Sequence, residues 1–143
     1  METAVLAIGT RKGLFLAFRR NGDWQIDGPQ LMMNMVYALG IDTRRERPRL
    51  LVGTGHSHWG PALFRSDDFG MSWQETEQGA ICFPEGSGGT LLRPWLIQPA
   101  GPDQPEVVYA GTEPAALFRS EDGGVTFRLV EGWWNHPDRR RLI

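Results

Sequence analysis

Cysteine occurs once in these 143 residues, at Cys82, so no disulfide within the chain can support the fold. No window approaches the roughly 20 consecutive apolar residues of a membrane-spanning helix. Charge of one sign is also lacking. Fifteen Lys and Arg stand against seventeen Asp and Glu, which gives no basic field for nucleic acid or anionic lipid and makes neither an expected partner. The opening Met1-Glu2-Thr3-Ala4 has no positive region leading into a long apolar stretch, so the chain reads as cytoplasmic. Gly86-Ser87-Gly88-Gly89 lacks the Lys-Ser/Thr and the helix start of a phosphate loop and reads as a flexible connection. No cofactor is implied.

Turn formers and a repeat are present instead. Eighteen Gly, ten Pro and 41% hydrophobic residues describe a globular, turn-rich, all-β chain. One octet occurs twice, each copy preceded by Ala-Leu-Phe-Arg. Ser66, Asp68, Gly70, Ser72 and Trp73 form the first copy, and Ser120, Asp122, Gly124, Thr126 and Phe127 the second. The offset is 120 − 66 = 54 residues, near a propeller blade of roughly 40–50 residues plus a longer loop. The chemistry of the octet is that of a tight turn. The aspartate can accept backbone N–H bonds, the serine can add a hydroxyl, and the glycine can take positive φ. The closing aromatic ring then packs between sheets. Both aspartates are read as staples of their turns rather than as catalysts.

On these residues the chain resembles the Asp-box (BNR) repeat propellers, which include sialidases, sortilin-like receptors and many glycosyl-hydrolase-like bacterial proteins. The resemblance implies that each box caps the turn between the third and fourth strands of a blade, on the face away from the active site.

The propeller template orders the remaining segments into a partial β-propeller of about three four-stranded antiparallel blades. Blade 1 covers about 3–28, with strands at Thr3–Gly9 and Gly13–Phe18 and a turn at Asn21-Gly22-Asp23-Trp24. Blade 2 covers about 35–78, with strands at Met35–Asp42, Arg49–Thr54, Pro61–Arg65 and Ser72–Glu77. Blade 3 covers about 91–131, with strands at Leu91–Gln98, Glu106–Thr112, Ala115–Arg119 and Thr126–Glu131. Residues 132–143 begin a further blade or form a tail. Gly9-Thr10, Gly53-Thr54 and Gly111-Thr112 end the second strand of each blade and support the register. The first blade lacks its innermost strand, and three blades fall short of the 4–8 that close a ring. The chain therefore reads as an N-terminal fragment whose ring needs missing blades or another chain.

Loops opposite the octets are where a site is expected. They carry Arg11 and Lys12, then Gly55-His56-Ser57-His58-Trp59-Gly60, then Glu113-Pro114, with Cys82–Gly89 and Trp133–Arg141 between and after the blades. His56, His58, Trp59 and His136 converge there with these charged groups, which suits a carbohydrate or a small carboxylate. Each residue has two readings. His56 and His58 share a face for a metal completed by Glu113 or His136, or they bond to backbone while Trp59 fills a blade interface. Arg11 and Lys12 bind an anion, or they are surface charge. Glu113 is a general acid or base, or it pairs with a neighbouring cation. Arg139-Arg140-Arg141 reads as a solvated terminus.

The functional reading is a ligand-binding scaffold without a complete active site and without an assigned metal. One alternative is a sialidase-like glycoside hydrolase whose other blades are missing. Arg93-Pro94 is the nearest match to that family's early Arg-Ile-Pro, and Tyr37 and Tyr109 fall inside expected strands. A second alternative is a metal-assisted hydrolase or lyase using the histidines.

Overall fold

The computed structural model describes residues 4–77 and 80–141. Thr3, where the first strand is expected to start, and position 78, the expected end of the second blade, lie outside the described residues. Three antiparallel meanders carry the chain. The first sheet holds β1 (Val5–Thr10), β2 (Gly13–Arg20) and β3 (Asp23–Gln30), in that order. The second holds β4 (Met35–Asp42), β5 (Arg49–His56), β6 (Gly60–Ser66) and β7 (Gln74–Glu75). The third holds β8 (Arg93–Pro99), β9 (Val108–Glu113), β10 (Ala116–Ser120) and β11 (Arg128–Leu129). Among the described residues no helix is long and apolar enough to cross a membrane.

Register shows that, among the described residues, the first sheet has no strand equivalent to β4 and β8. Gly9 pairs with Leu14, Gly53 with Leu63 and Gly111 with Leu117, each glycine followed by a threonine. The threonine hydroxyl donates to a carbonyl of the following strand in all three sheets: Thr10 to Gly13 at 2.8 Å, Thr54 to Ala62 at 3.3 Å, and Thr112 to Ala116 at 3.4 Å. Strands β1, β5 and β9 are thus equivalent, and β1 is an edge.

Glycine is required at this register by packing. A Cβ on Gly9 would lie 2.6 Å from Val36 Cγ1, and one on Gly53 would lie 2.6 Å from Pro94 Cγ. Val36 and Pro94 are both the second residue of the next sheet's first strand. Successive sheets approach closely here because no side chain stands between them. Leu14, Leu16, Leu50 and Val52 form the core between the first two sheets. Ala38, Leu51, Leu63, Ile97, Val108, Ala110 and Phe118 form the core between the second and third.

Each octet closes its own corner. Ser66 Oγ donates to Asp68 Oδ1 at 2.7 Å and accepts from Gly70 N at 2.8 Å, while Asp68 accepts from Ser72 N at 2.9 Å and Ser72 Oγ at 2.5 Å. Ser120 and Asp122 repeat this pattern with Gly124 N, Thr126 N and Thr126 Oγ1 at 2.8, 2.8 and 2.5 Å, and Val125 N adds a bond of 3.0 Å. Gly70 and Gly124 have φ of +82° and +90°, which closes these turns without Cβ strain. Trp73 donates from its indole N to Gln30 of the first sheet at 3.0 Å, and Phe127 is buried in the core.

The fourth strands are two residues long, shorter than the expected Ser72–Glu77 and Thr126–Glu131. The amides of Ser72 and Thr126 are held by the aspartates and cannot join the ladder. Beyond β11 the backbone turns into a short helix, α1 (Glu131–Trp134), and a 3-10 helix at Pro137–Arg141, so the described part of the segment expected to open another blade or trail as a tail is largely helical. Arg139 is not a freely solvated terminus. Its guanidinium lies 3.7 Å from the Trp134 ring centroid and donates from Nε to Trp134 O at 2.6 Å.

A buried ion pair joins the second sheet to the third. Asp42 is fully buried and receives Arg44 Nε and Nη2, both at 2.8 Å. The remaining Arg44 donors reach Ala100 O, Gln104 O and Val107 O at 3.1, 2.6 and 3.0 Å. Arg49 adds a pair to Asp67 at 2.6 Å and a bond to Gly123 O at 3.0 Å. These contacts place the β4–β5 and β8–β9 connections at the same end as the octets.

Two predictions follow from this packing. Gly53→Ala is expected to cost about 1–3 kcal/mol by overpacking against Pro94, whereas Gly111→Ala, whose added Cβ meets Leu96 at an ordinary 3.4 Å, is expected to stay within about 0.5 kcal/mol. Denaturant unfolding of the two variants checks the difference. Asp42→Ala leaves Arg44 buried without its counter-ion and is expected to cost about 3 kcal/mol. Arg44 holds the Asp42 carboxyl below its usual 3.8, and Arg49 does the same for Asp67. Because these folded values are depressed, the stability they confer is full above the unfolded value and is lost as pH falls through the folded ones. A urea midpoint that is flat near neutrality and drops below about pH 4 is the expected profile, and Asp42→Ala should flatten that drop.

Candidate functional site

Opposite the octets, both first strands carry a bulge at an aromatic residue. Pairing of β4 with β5 shifts between Val36 and Ala38, at Tyr37, and pairing of β8 with β9 shifts between Pro94 and Leu96, at Trp95. A bulge re-aims its side chain. Here it brings the two rings together edge to face, with centroids 5.6 Å apart and planes at 72°. Gly55 leaves room for the tyrosine, since a Cβ there would lie 2.7 Å from Tyr37 Cε2.

Arg93, two residues before Trp95, closes the group. Its guanidinium carbon lies 5.4 Å from the Tyr37 centroid and 5.2 Å from the Trp95 centroid, within cation–π range of both. Glu113 Oε2 forms an ion pair with Arg93 Nε at 2.9 Å, and both side chains are more than a third exposed. Trp95 is 52% exposed. The arrangement offers an indole face, a phenol ring, a hydrogen-bonding cation and a carboxylate to one small ligand. An open cleft of about 400 Å³ has Trp59, Leu63, Glu75, Phe83 and Leu91 among its walls and none of these four residues.

Of the residues singled out from sequence, Glu113 belongs to this cluster and carries the ion pair with Arg93. His56 Nδ1 accepts from the amides of His58 and Trp59, both at 3.0 Å, so it staples the β5–β6 turn. His58 stands edge-on to Trp59 at 4.5 Å, and Trp59 is 79% exposed rather than filling an interface. His136 stacks against Trp133 and accepts from Asp138 N at 3.2 Å. Arg11 and Lys12 form the exposed β1–β2 turn, where the Lys12 amide donates to Thr10 Oγ1 at 3.1 Å. Among the described residues no group of three His, Cys, Asp or Glu is placed to hold a metal ion.

Sequence reasoning missed Tyr37 and Trp95 as site residues and met Arg93 only as a motif remnant. A signal was available. Val36-Tyr37-Ala38 and Pro94-Trp95-Leu96 are 95 − 37 = 58 residues apart, the same offset as Gly53 and Gly111, 111 − 53 = 58.

A solved structure described as "YCF48 bound to D1 peptide", a β-propeller, superposes on 90% of this chain with a TM-score of 0.54 and 16% sequence identity. The fold is a partial β-propeller. The chain spans 36% of that protein's length, about a third. No family model matches the sequence, and no curated protein does. Within the propeller, the octets join the third and fourth strands of successive blades, and the Tyr37, Trp95, Arg93 and Glu113 cluster sits where the innermost strands begin.

The octets are far from this cluster and should be separable from it. Ser72, through its hydroxyl and amide, and Ser66 hold Asp68 down to about 2. Burial pushes the Asp122 carboxyl up, and the bonds from Thr126, Ser120 and Val125 more than offset it. Asp122→Ala is expected to cost about 1–3 kcal/mol through unsatisfied turn amides. Hydrogen exchange should quicken at Gly124–Thr126, while the NMR signals of Tyr37 and Trp95 stay in place.

Proposed function

We propose that this chain is a sector of an Asp-box (BNR) propeller of the sialidase and glycosyl-hydrolase-like kind, and that it works as a ligand-binding scaffold. The ligand is a carbohydrate or a small carboxylate, bound where the first strands of the second and third sheets begin. The observation that carries this reading is the Arg93 guanidinium, paired with Glu113 and lying over the rings of both Tyr37 and Trp95. A sugar ring can lay its C–H face on the Trp95 indole while its hydroxyls meet the guanidinium and the carboxylate. No general acid and nucleophile pair is assigned, and hydrolysis is not part of the proposal.

Calorimetric titration with a panel of neutral and acidic sugars and small carboxylates tests it. Trp95→Ala is expected to weaken binding by about tenfold or more, some 1.4 kcal/mol, at an unchanged melting temperature. Glu113→Gln should shift the preference towards anionic ligands. An extended peptide belongs in the same panel, since the neighbouring structure's description names one. Binding indifferent to Trp95→Ala, or confined to the peptide, would refute the carbohydrate reading.

A further inference from the structure

The cleft of about 400 Å³ is walled by the second sheet and its connection to the third, and it shares no residue with the Tyr37 and Trp95 group. It lies where the ladder between β6 and β7 stops. Thr76 donates from both its amide and its hydroxyl to Leu63 O, at 2.9 and 3.1 Å, and beyond it the chain leaves the sheet. The return at Ala80–Phe83 and the start of β6 bound the cleft. Its apolar walls are fixed from behind. Leu63 and Ile81 belong to the core, and Phe83 is backed edge to face by Phe118 and Trp134, with centroids 5.4 and 5.6 Å away. Gly89 lets the connection pass close to that ring, since a Cβ there would lie 2.8 Å from Phe83 Cδ1.

Trp59 adds an exposed indole to these walls. The β5–β6 turn sets its place, because His56 Nδ1 accepts from its amide at 3.0 Å and the His58 ring stands edge-on to it at 4.5 Å. The charge of the cleft has one sign. Glu75 and Glu77 line it and no Lys, Arg or His does, and neither glutamate has an ion pair or a side-chain hydrogen bond among the described residues. This is the reverse of the Arg93 and Glu113 group, where the charges cancel. Carboxylates beside low-dielectric walls focus a field that gathers cations. An indole face attracts the same sign.

We propose that this cleft is a binding site for a small organic cation, a quaternary ammonium whose alkyl shell rests against Leu63, Ile81 and Phe83 while its charge is met by the Trp59 indole and the field of Glu75 and Glu77. A bare metal ion or a primary ammonium would have to shed water that apolar walls cannot replace. A quaternary ammonium has no N–H to satisfy and carries its own apolar surface. The volume suits such a guest, since small-ligand pockets run from about 300 to 1,000 Å³.

Calorimetric titration with choline, run against the neutral isostere in which carbon replaces its nitrogen, tests the assignment. Choline is expected to bind and the isostere is not, and raised salt should weaken the binding. Trp59→Ala should lower the affinity about fivefold or more, with Trp59→Phe falling between it and the wild type. Glu75→Gln and Glu77→Gln together should lower it about tenfold. All three side chains are on exposed residues, so unchanged melting temperatures separate lost binding from lost fold. Trp95→Ala should leave choline binding as it was, which keeps this cleft distinct from the proposed carbohydrate site. Absence of choline binding, equal binding of the isostere, indifference to either the Trp59 or the glutamate variants, or loss of choline binding in Trp95→Ala would each overturn the proposal.

Discussion

Everything in this fold is arranged around the need for successive sheets to converge at their first strands. At Gly9 and Gly53 the next sheet's side chain sits where a Cβ would be, 2.6 Å away in both cases. Any larger residue would drive the sheets apart and open the core that Leu50, Val52, Ala110 and Phe118 fill at 1% exposure or less. The size gradient follows from that geometry. Small residues stand where the sheets are closest, and phenylalanines stand one strand further out, where they diverge: Phe64 and Phe118 immediately follow the leucines paired with Gly53 and Gly111. The threonine beside each glycine restores what the missing side chain cannot provide, since its hydroxyl ties its own strand to the one that follows.

The outer corners are solved by local chemistry instead. All the bonds that shape an octet lie within seven residues of sequence, and the carboxylate accepts amide and hydroxyl donors that would otherwise be unsatisfied at a sharp turn. A corner that holds itself needs little from the strand that follows, which accounts for β7 and β11 being two residues long. Charge reinforces it, because a carboxylate receiving several donors stays ionised far below neutrality, as Asp68 does at about 2.

Features encoded within a few residues were legible in the sequence. The octets, the Asn21-Gly22 hairpin, the three Gly-Thr pairs and the positions of β4, β5, β9 and β10 all follow from turn chemistry or from alternation. What escaped depends on contacts between sheets. Arg44 reads as one more loop cation until the β8–β9 connection brings three carbonyls to its guanidinium. Tyr37 and Trp95 read as ordinary strand residues because a bulge leaves no mark in a period-two pattern; it is set by the register of the partner strand. The helical end at Glu131–Arg141 was also hidden. Its Trp134 packs against Phe83, which packs against Phe118, a chain of rings spanning 51 residues of sequence, 134 − 83.

The two ends of the stack differ in what their cations are free to do. At the octet end Arg44 and Arg49 expose only about a tenth of their side-chain surface, and their donors are taken by Asp42, Asp67 and carbonyls of the third sheet and its loops. They hold the sheets together and offer a ligand nothing. At the other end Arg93 and Glu113 are each more than a third exposed, and their charges cancel. A ligand carboxylate approaching Arg93 would gain the guanidinium but meet the like charge of Glu113. A hydroxyl can donate to one partner and accept from the other without that repulsion. With an indole face alongside, this balance favours a neutral, hydroxyl-rich ring over a small anion as the ligand of the proposed site.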